Sequence, residues 1–204
     1  MYRSLAVVVV ALAALAAPAA RAEPVTFTAT LTGAAEAPPN LSPATGFATV
    51  VFDLAAHTMA VDVSFEDLQG TTTAAHIHCC VDAPGTASVA TETPFFVGFP
   101  AGVTAGSYAH TFDMTLASSF SPSFISSSLY GQGSIPLAEQ ALYDGLLAGR
   151  AYFNIHTNVF PGGEIRGFLQ QQVPEPASVV LVGLALAALP LSARRRQRSS
   201  RALA

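Results

Sequence analysis

Tryptophan and lysine are absent from all 204 residues, and cysteine occurs twice, at the neighbouring positions Cys79 and Cys80. Between residues 23 and 173 the only cations are Arg150 and Arg166, set against twelve acids, for a net charge of −10. The whole-chain value of −4 conceals this, because seven of the nine arginines lie at the two ends. A surface of that sign repels phosphate backbones and excludes nucleic acid as a partner. Two adjacent cysteines cannot form a long-range bridge within one chain. They leave free thiols, a vicinal disulfide, or intermolecular pairing and metal ligation, and nothing else in the sequence requires more than the first two. Also missing are a Gly-x-Ser-x-Gly elbow, a phosphate-binding loop, a dinucleotide fingerprint and a metalloprotease helix, so no catalytic residue is assigned and no enzyme is expected.

Long apolar runs occur only at the termini. Arg3, the run Leu5 to Ala17 and Ala20-Arg21-Ala22 read as a secretory signal over residues 1–22, removed by signal peptidase after Sec export. At the other end Val173-Pro174-Glu175-Pro176 precedes an apolar run from Ala177 to Leu191 and the basic Arg194-Arg195-Arg196-Gln197-Arg198. As a helix that run is about 22 Å long, short of a ~30 Å hydrocarbon core but extendable by snorkelling arginine stems. The basic cluster places the preceding residues outside the cytoplasm. Motif, apolar helix and arginine cluster in this order resemble the PEP-CTERM sorting signal. The resemblance implies residues 173–204 as a transient inner-membrane anchor, cleaved near the motif by an exosortase, with a final place in the envelope or outside the cell.

Residues 23–172 then form one domain of ordinary size. Apolar residues alternate with polar ones through Val25 to Leu31, Gly46 to Leu54, Met59 to Glu66 and Tyr108 to Leu116, the pattern of half-buried strands. Phe95 to Phe99 suggests a further short strand, and Ala117 to Gly133, rich in serine and glycine, a loop. Ser134 and Pro136 predict the start of one helix, with Leu137, Leu142, Leu146 and Leu147 on its apolar side and Gly149 as its stop. Two closing strands, 151–157 and 164–170, flank a turn at Pro161-Gly162-Gly163. Seven to nine short strands with one helix predict an all-β domain, a Greek-key-like β-sandwich.

Chemistry concentrates in two short stretches. In Thr73-Ala74-Ala75-His76-Ile77-His78 the two imidazoles share one strand face, and in Phe153-Asn154-Ile155-His156-Thr157 so do Asn154 and His156. Paired in a sheet, they bring His76, His78 and His156 together as a candidate site for Zn²⁺ or Cu²⁺, with Cys80 on the same face if the strand continues. The simpler account, preferred on sequence alone, has the imidazoles bonded to loop backbone or to Glu36 and Glu164. Glu164 and Arg166 at i and i+2 suggest an ion pair. His110 reads as a core residue, and His57 as a solvated turn residue.

These stretches, with Leu31 to Pro39, Gly46-Phe47-Ala48 and Phe160 to Gly167, resemble the CHRD domain, first described in chordin. The resemblance covers most of residues 25–170 and implies an all-β extracellular module without a defined activity; Cys79-Cys80 stands where the family usually carries Gly-Pro. The expected role is structural or binding. Two rivals remain: a copper- or zinc-dependent oxidoreductase or hydrolase on the histidines, and a carbohydrate-binding or adhesion module for exopolysaccharide. The latter requires exposed aromatics in a groove, with Tyr108, Tyr130 and Tyr143 as candidates.

Overall fold

Threonines on one side and Val25, Phe27, Ala29 and Leu31 on the other make Val25–Thr32 (β1) a strand with one apolar face. A computed structural model describes residues 23–173. The export and sorting expectations, apart from the exposed Val173, fall on residues outside these. Along its whole length β1 pairs antiparallel with Thr45–Asp53 (β2), and β2 pairs with Thr58–Glu66 (β3). Thr72–Cys79 (β4) reaches the sheet through Ala151–Thr157 (β6), and Gly106–Asp113 (β5) lies outside β3. Ile165–Phe168 (β7) bridges β6 to β1, and Gln170–Gln171 (β8) adds a short pairing to β1. The order is β4-β6-β7-β1-β2-β3-β5.

The domain is therefore all-β, but hydrogen bonding joins its strands into a single antiparallel sheet where two stacked sheets were expected. The cause is β1, which pairs with β2 on one edge and with β7 and β8 on the other, leaving no break between the halves. The sheet curls on itself. Phe96, between β4 and β5, lies 5.0 Å from the ring of Phe112 on β5 and 5.9 Å from that of Phe153 on β6. Opposite ends of the strand order thus share one apolar core, where Phe27, Phe52 and Phe153 are wholly buried. Each such side chain contributes about 1.5–3 kcal/mol.

Ile135–Leu147 (α2) packs against the sheet beside β6 and β8. It follows Ser134, carries Pro136 in its first turn, and ends before Gly149, whose φ of +65° suits glycine. Its buried stripe is Ala138, Leu142 and Leu146, spaced by four. Leu137 and Leu147 sit one residue off that stripe and are exposed, contrary to expectation. Tyr143 packs 5.3 Å from Phe52, and Cys80 Sγ approaches the Ala141 carbonyl. The cysteines form a vicinal disulfide seated on Gly145, where a Cβ would strike both sulfurs. That close approach accounts for a glycine inside a helix.

Three further expectations fail. Phe95–Phe99 is not a strand: prolines at 94 and 100 bracket it, and Phe96 and Phe99 serve as core plugs. Residues 117–133 are not all loop, since Pro122–Ser126 (α1) and a 3₁₀ turn at Ala117–Ser119 bury Phe124 and Ser119. His110 is exposed, because β5 is an edge strand and its middle is uncovered; it packs at 4.6 Å from the Phe112 ring.

Candidate metal site

Strands β4, β6 and β7 are buried on both faces. One face, with Ala75, Ile77, Phe153 and Ile155, joins the apolar core. The other carries polar residues in rows across the sheet: His76 opposite Asn154 opposite Arg166, and His78 opposite Tyr152 opposite Phe168. His156, opposite Ala74, completes the cluster. Four loops cover this face, and most of the bonds that hold them down come from the same residues.

Arg166 is the main fastener. Only 1% exposed, it donates from Nε to Ala35 O at 2.6 Å, from Nη2 to Pro84 O at 2.7 Å and from Nη1 to Gly85 O at 3.1 Å. Its guanidinium carbon stands 4.8 Å over the Tyr152 ring. The expected ion pair with Glu164 does not form; the nearest carboxylate is Glu36, 3.8 Å away. Glu164, just before β7, turns to the other side of the turn. It accepts from Ser42 Oγ, Thr157 Oγ1 and the backbone N–H groups of Gln69 and Gly70. Burial pushes its pKa up, but these bonds outweigh it and hold the carboxyl below its ordinary value. Neither Glu36 nor Glu164 bonds a histidine. Asn40, which donates to Glu164 O at 3.0 Å, ties the 33–43 loop to the same turn and brings Glu36 inward.

The structure brings the three predicted histidines together. Ring centroids are 5.4–5.8 Å apart in each pair, and one nitrogen from each ring lies within 4.8 Å of the others. Each ring uses one nitrogen to donate to a loop carbonyl: His76 Nε2 to Pro94 O at 2.6 Å, His78 Nδ1 to Ala87 O at 2.9 Å, and His156 Nδ1 to Pro161 O at 3.0 Å. A carbonyl only accepts, so each bond fixes the tautomer. The opposite nitrogens, His76 Nδ1, His78 Nε2 and His156 Nε2, are buried lone-pair bearers without a partner. His78 also stacks on Tyr152 at 4.8 Å, and the Tyr152 hydroxyl accepts from Ala87 N–H, fixing the loop that orients His78.

Burial lowers all three imidazole pKa values, that of His78 to about 4, so the rings are neutral at pH 7. Neutral imidazoles with one N–H tied to a carbonyl are the form that binds transition metals. Tetrahedral zinc with Zn–N of about 2.0–2.1 Å sets ligand nitrogens about 3.3 Å apart, so small side-chain movements would close the ring. Cys80 does not share the face; its sulfur lies on the core side against α2. His57 and His110 lie elsewhere, and His57 is not merely solvated, since its Nδ1 sits 2.8 Å from Glu139 Oε2.

The CHRD domain pattern matches residues 27–169, most of the chain. The chain belongs to the CHRD domain family. A PEP-CTERM protein-sorting motif matches residues 172–196. This CHRD protein is thus an exported exosortase substrate that ends on the cell envelope or outside. No curated protein and no solved structure matches it. No helix among the described residues is long and apolar enough to cross a membrane. The CHRD site also includes residues that sequence reasoning passed over. Asn154 shared the face of His156 without a role, Glu36 was read as a bonding partner for the imidazoles, and Arg166 as half of an ion pair. A signal for Arg166 was present: it is one of two cations between residues 23 and 173, inside a strand pattern.

Proposed function

We propose that this CHRD domain is a binding module of the envelope or extracellular matrix whose ligand is a divalent transition metal, zinc or copper, held by His76, His78 and His156. One observation carries the reading: three clustered imidazoles, two buried and one half-buried, each with one N–H fixed by a loop carbonyl, leave three buried nitrogens without a partner. A buried polar atom without a partner costs about 1–3 kcal/mol, and three together are explained by a ligand that needs lone pairs. The loop carbonyls serve both accounts, since they pin the loops and orient the rings. We read the role as binding and not turnover: Glu164, the carboxylate nearest His156 in sequence, spends its oxygens on four donors. Export by Sec, removal of residues 1–22 by signal peptidase, and transient anchoring through residues 177–191 complete the proposed route. The matrix-polymer alternative has less support, because Tyr108 is buried and Tyr130 and Tyr143 pack on Phe124 and Phe52.

The test is elemental analysis of residues 23–173, which hold the whole sheet and core, purified without a histidine tag and dialysed against a weak chelator. About one zinc or copper per chain, lost in His76→Ala and in His156→Ala, is the expected result. No metal in the wild type, with both variants merely less stable, would make the histidines scaffold.

A further inference from the structure

Among the described residues six buried side-chain polar atoms have no partner, and five of them belong to residues on or over this face of the sheet. Three are the histidine nitrogens. The other two are Glu36 Oε1 and Asn154 Oδ1. Glu36 is 6% exposed and Asn154 3% exposed, so solvent does not satisfy them. Asn154 pairs across the strands with His76 and lies two residues from His156 on the same face. Glu36 reaches the same place from the 33–43 loop. A Cβ on Gly163 would stand 2.6 Å from both Glu36 Oε1 and Asn154 Oδ1, so the two oxygens lie no farther apart than twice that distance. Glycine, at a φ of +129°, is what lets both stand over the turn.

With Glu36 as the carboxylate, the five atoms have one chemistry: each is an acceptor. A cation on the three nitrogens answers the histidines and leaves the two oxygens wanting hydrogens. A three-histidine ion keeps an open position, which a neutral molecule with hydrogens to give can fill. Arg166 does not answer them: each of its nitrogens already donates to Ala35, Pro84 or Gly85, and its approach to Glu36 is to Oε2, at 3.8 Å.

We propose that Glu36 and Asn154 form the outer wall of the site and receive the hydrogens of a water carried on the open position of the metal. The proposal rests on the metal reading above. It assigns the site a preference for neutral proton-donating ligands over anions, since an anion such as azide has no hydrogen to give and meets two acceptor oxygens. Glu36→Gln exchanges an acceptor for a donor and reverses half of that preference. Asn154→Asp keeps the shape and strengthens it.

The experiment loads residues 23–173 with cobalt(II) and titrates azide, read from the visible spectrum of the metal. Glu36→Gln should bind azide about tenfold more tightly than wild type and Asn154→Asp about tenfold more weakly, with one cobalt per chain throughout. If both variants take cobalt but bind azide within about twofold of wild type, then the two oxygens do not face the open position, and the wall is overturned while the metal site stands. A wild type that takes no cobalt overturns both. Asn154→Asp, nearly isosteric, decides alone should Glu36→Gln fail to fold.

Discussion

The two halves of the sheet are built from similar strands but treat their second faces differently. In β2 and β3 buried and accessible positions alternate, so one face meets the core and the other water. In β4, β6 and β7 burial is nearly continuous, although His76, His78, Asn154 and Arg166 are among the buried residues. A polar face that is covered must have each group answered, because desolvation is lost whether or not a partner is found. Arg166 and Glu164 are answered fully by loops and turn backbone. The histidines, Glu36 and Asn154 are answered in part, and that remainder is where a ligand belongs.

The largest effect that would break this comparison is at its fastener. Arg166→Met frees the carbonyls of Ala35, Pro84 and Gly85 and strands Glu36, and should cost about 3–5 kcal/mol in urea unfolding. A loss under about 1 kcal/mol would mean the loops are held by other contacts. Next come the two buried carboxyls, which should act at opposite ends of the pH range. Burial pushes Glu36 from 4.5 up to about 7, against the pull of Arg166. Its share of stability is full below pH 4.5 and is lost as pH rises through about 7, a change of roughly 3 kcal/mol. Glu164 is held below 4.5, so its share is present above that value and is lost as pH falls through the folded pKa. Glu36→Gln should flatten the fall on the alkaline side and Glu164→Gln the fall on the acid side, read from unfolding midpoints between pH 3 and 8. The smallest effect sharpens the contrast. Arg150, half exposed and 3.0 Å from the exposed Asp82, should lose less than about 1 kcal/mol as Arg150→Met, the same substitution at the domain's other cation.

Much of the scaffold was legible because alternation is a local property. Val25 to Leu31, Gly46 to Leu54 and Met59 to Glu66 announced their strands, and Ser134, Pro136 and Gly149 marked their helix. The pairing of His76 and His78 with His156 followed from two polar-faced strands if they were neighbours, as they are. What failed was decided by neighbours distant in sequence. His110 looked like core until β5 proved to be an edge, and Phe95–Phe99 looked like a strand until it proved to plug the curl. Glu164 and Arg166 looked like a pair until loops some 80 to 130 residues away in sequence claimed Arg166.

By itself the sequence determined destination, family and strand pattern, since an apolar run beside a basic cluster, a motif and a two-residue period need no tertiary information. Only the tertiary structure decided that β1 joins the strands into one sheet and that loops bury the second face of β4, β6 and β7. It also decided which nitrogen of each histidine is tied and which is left over. Those outcomes depend on where a carbonyl such as Pro94 O or Ala87 O comes to rest, which no local pattern encodes.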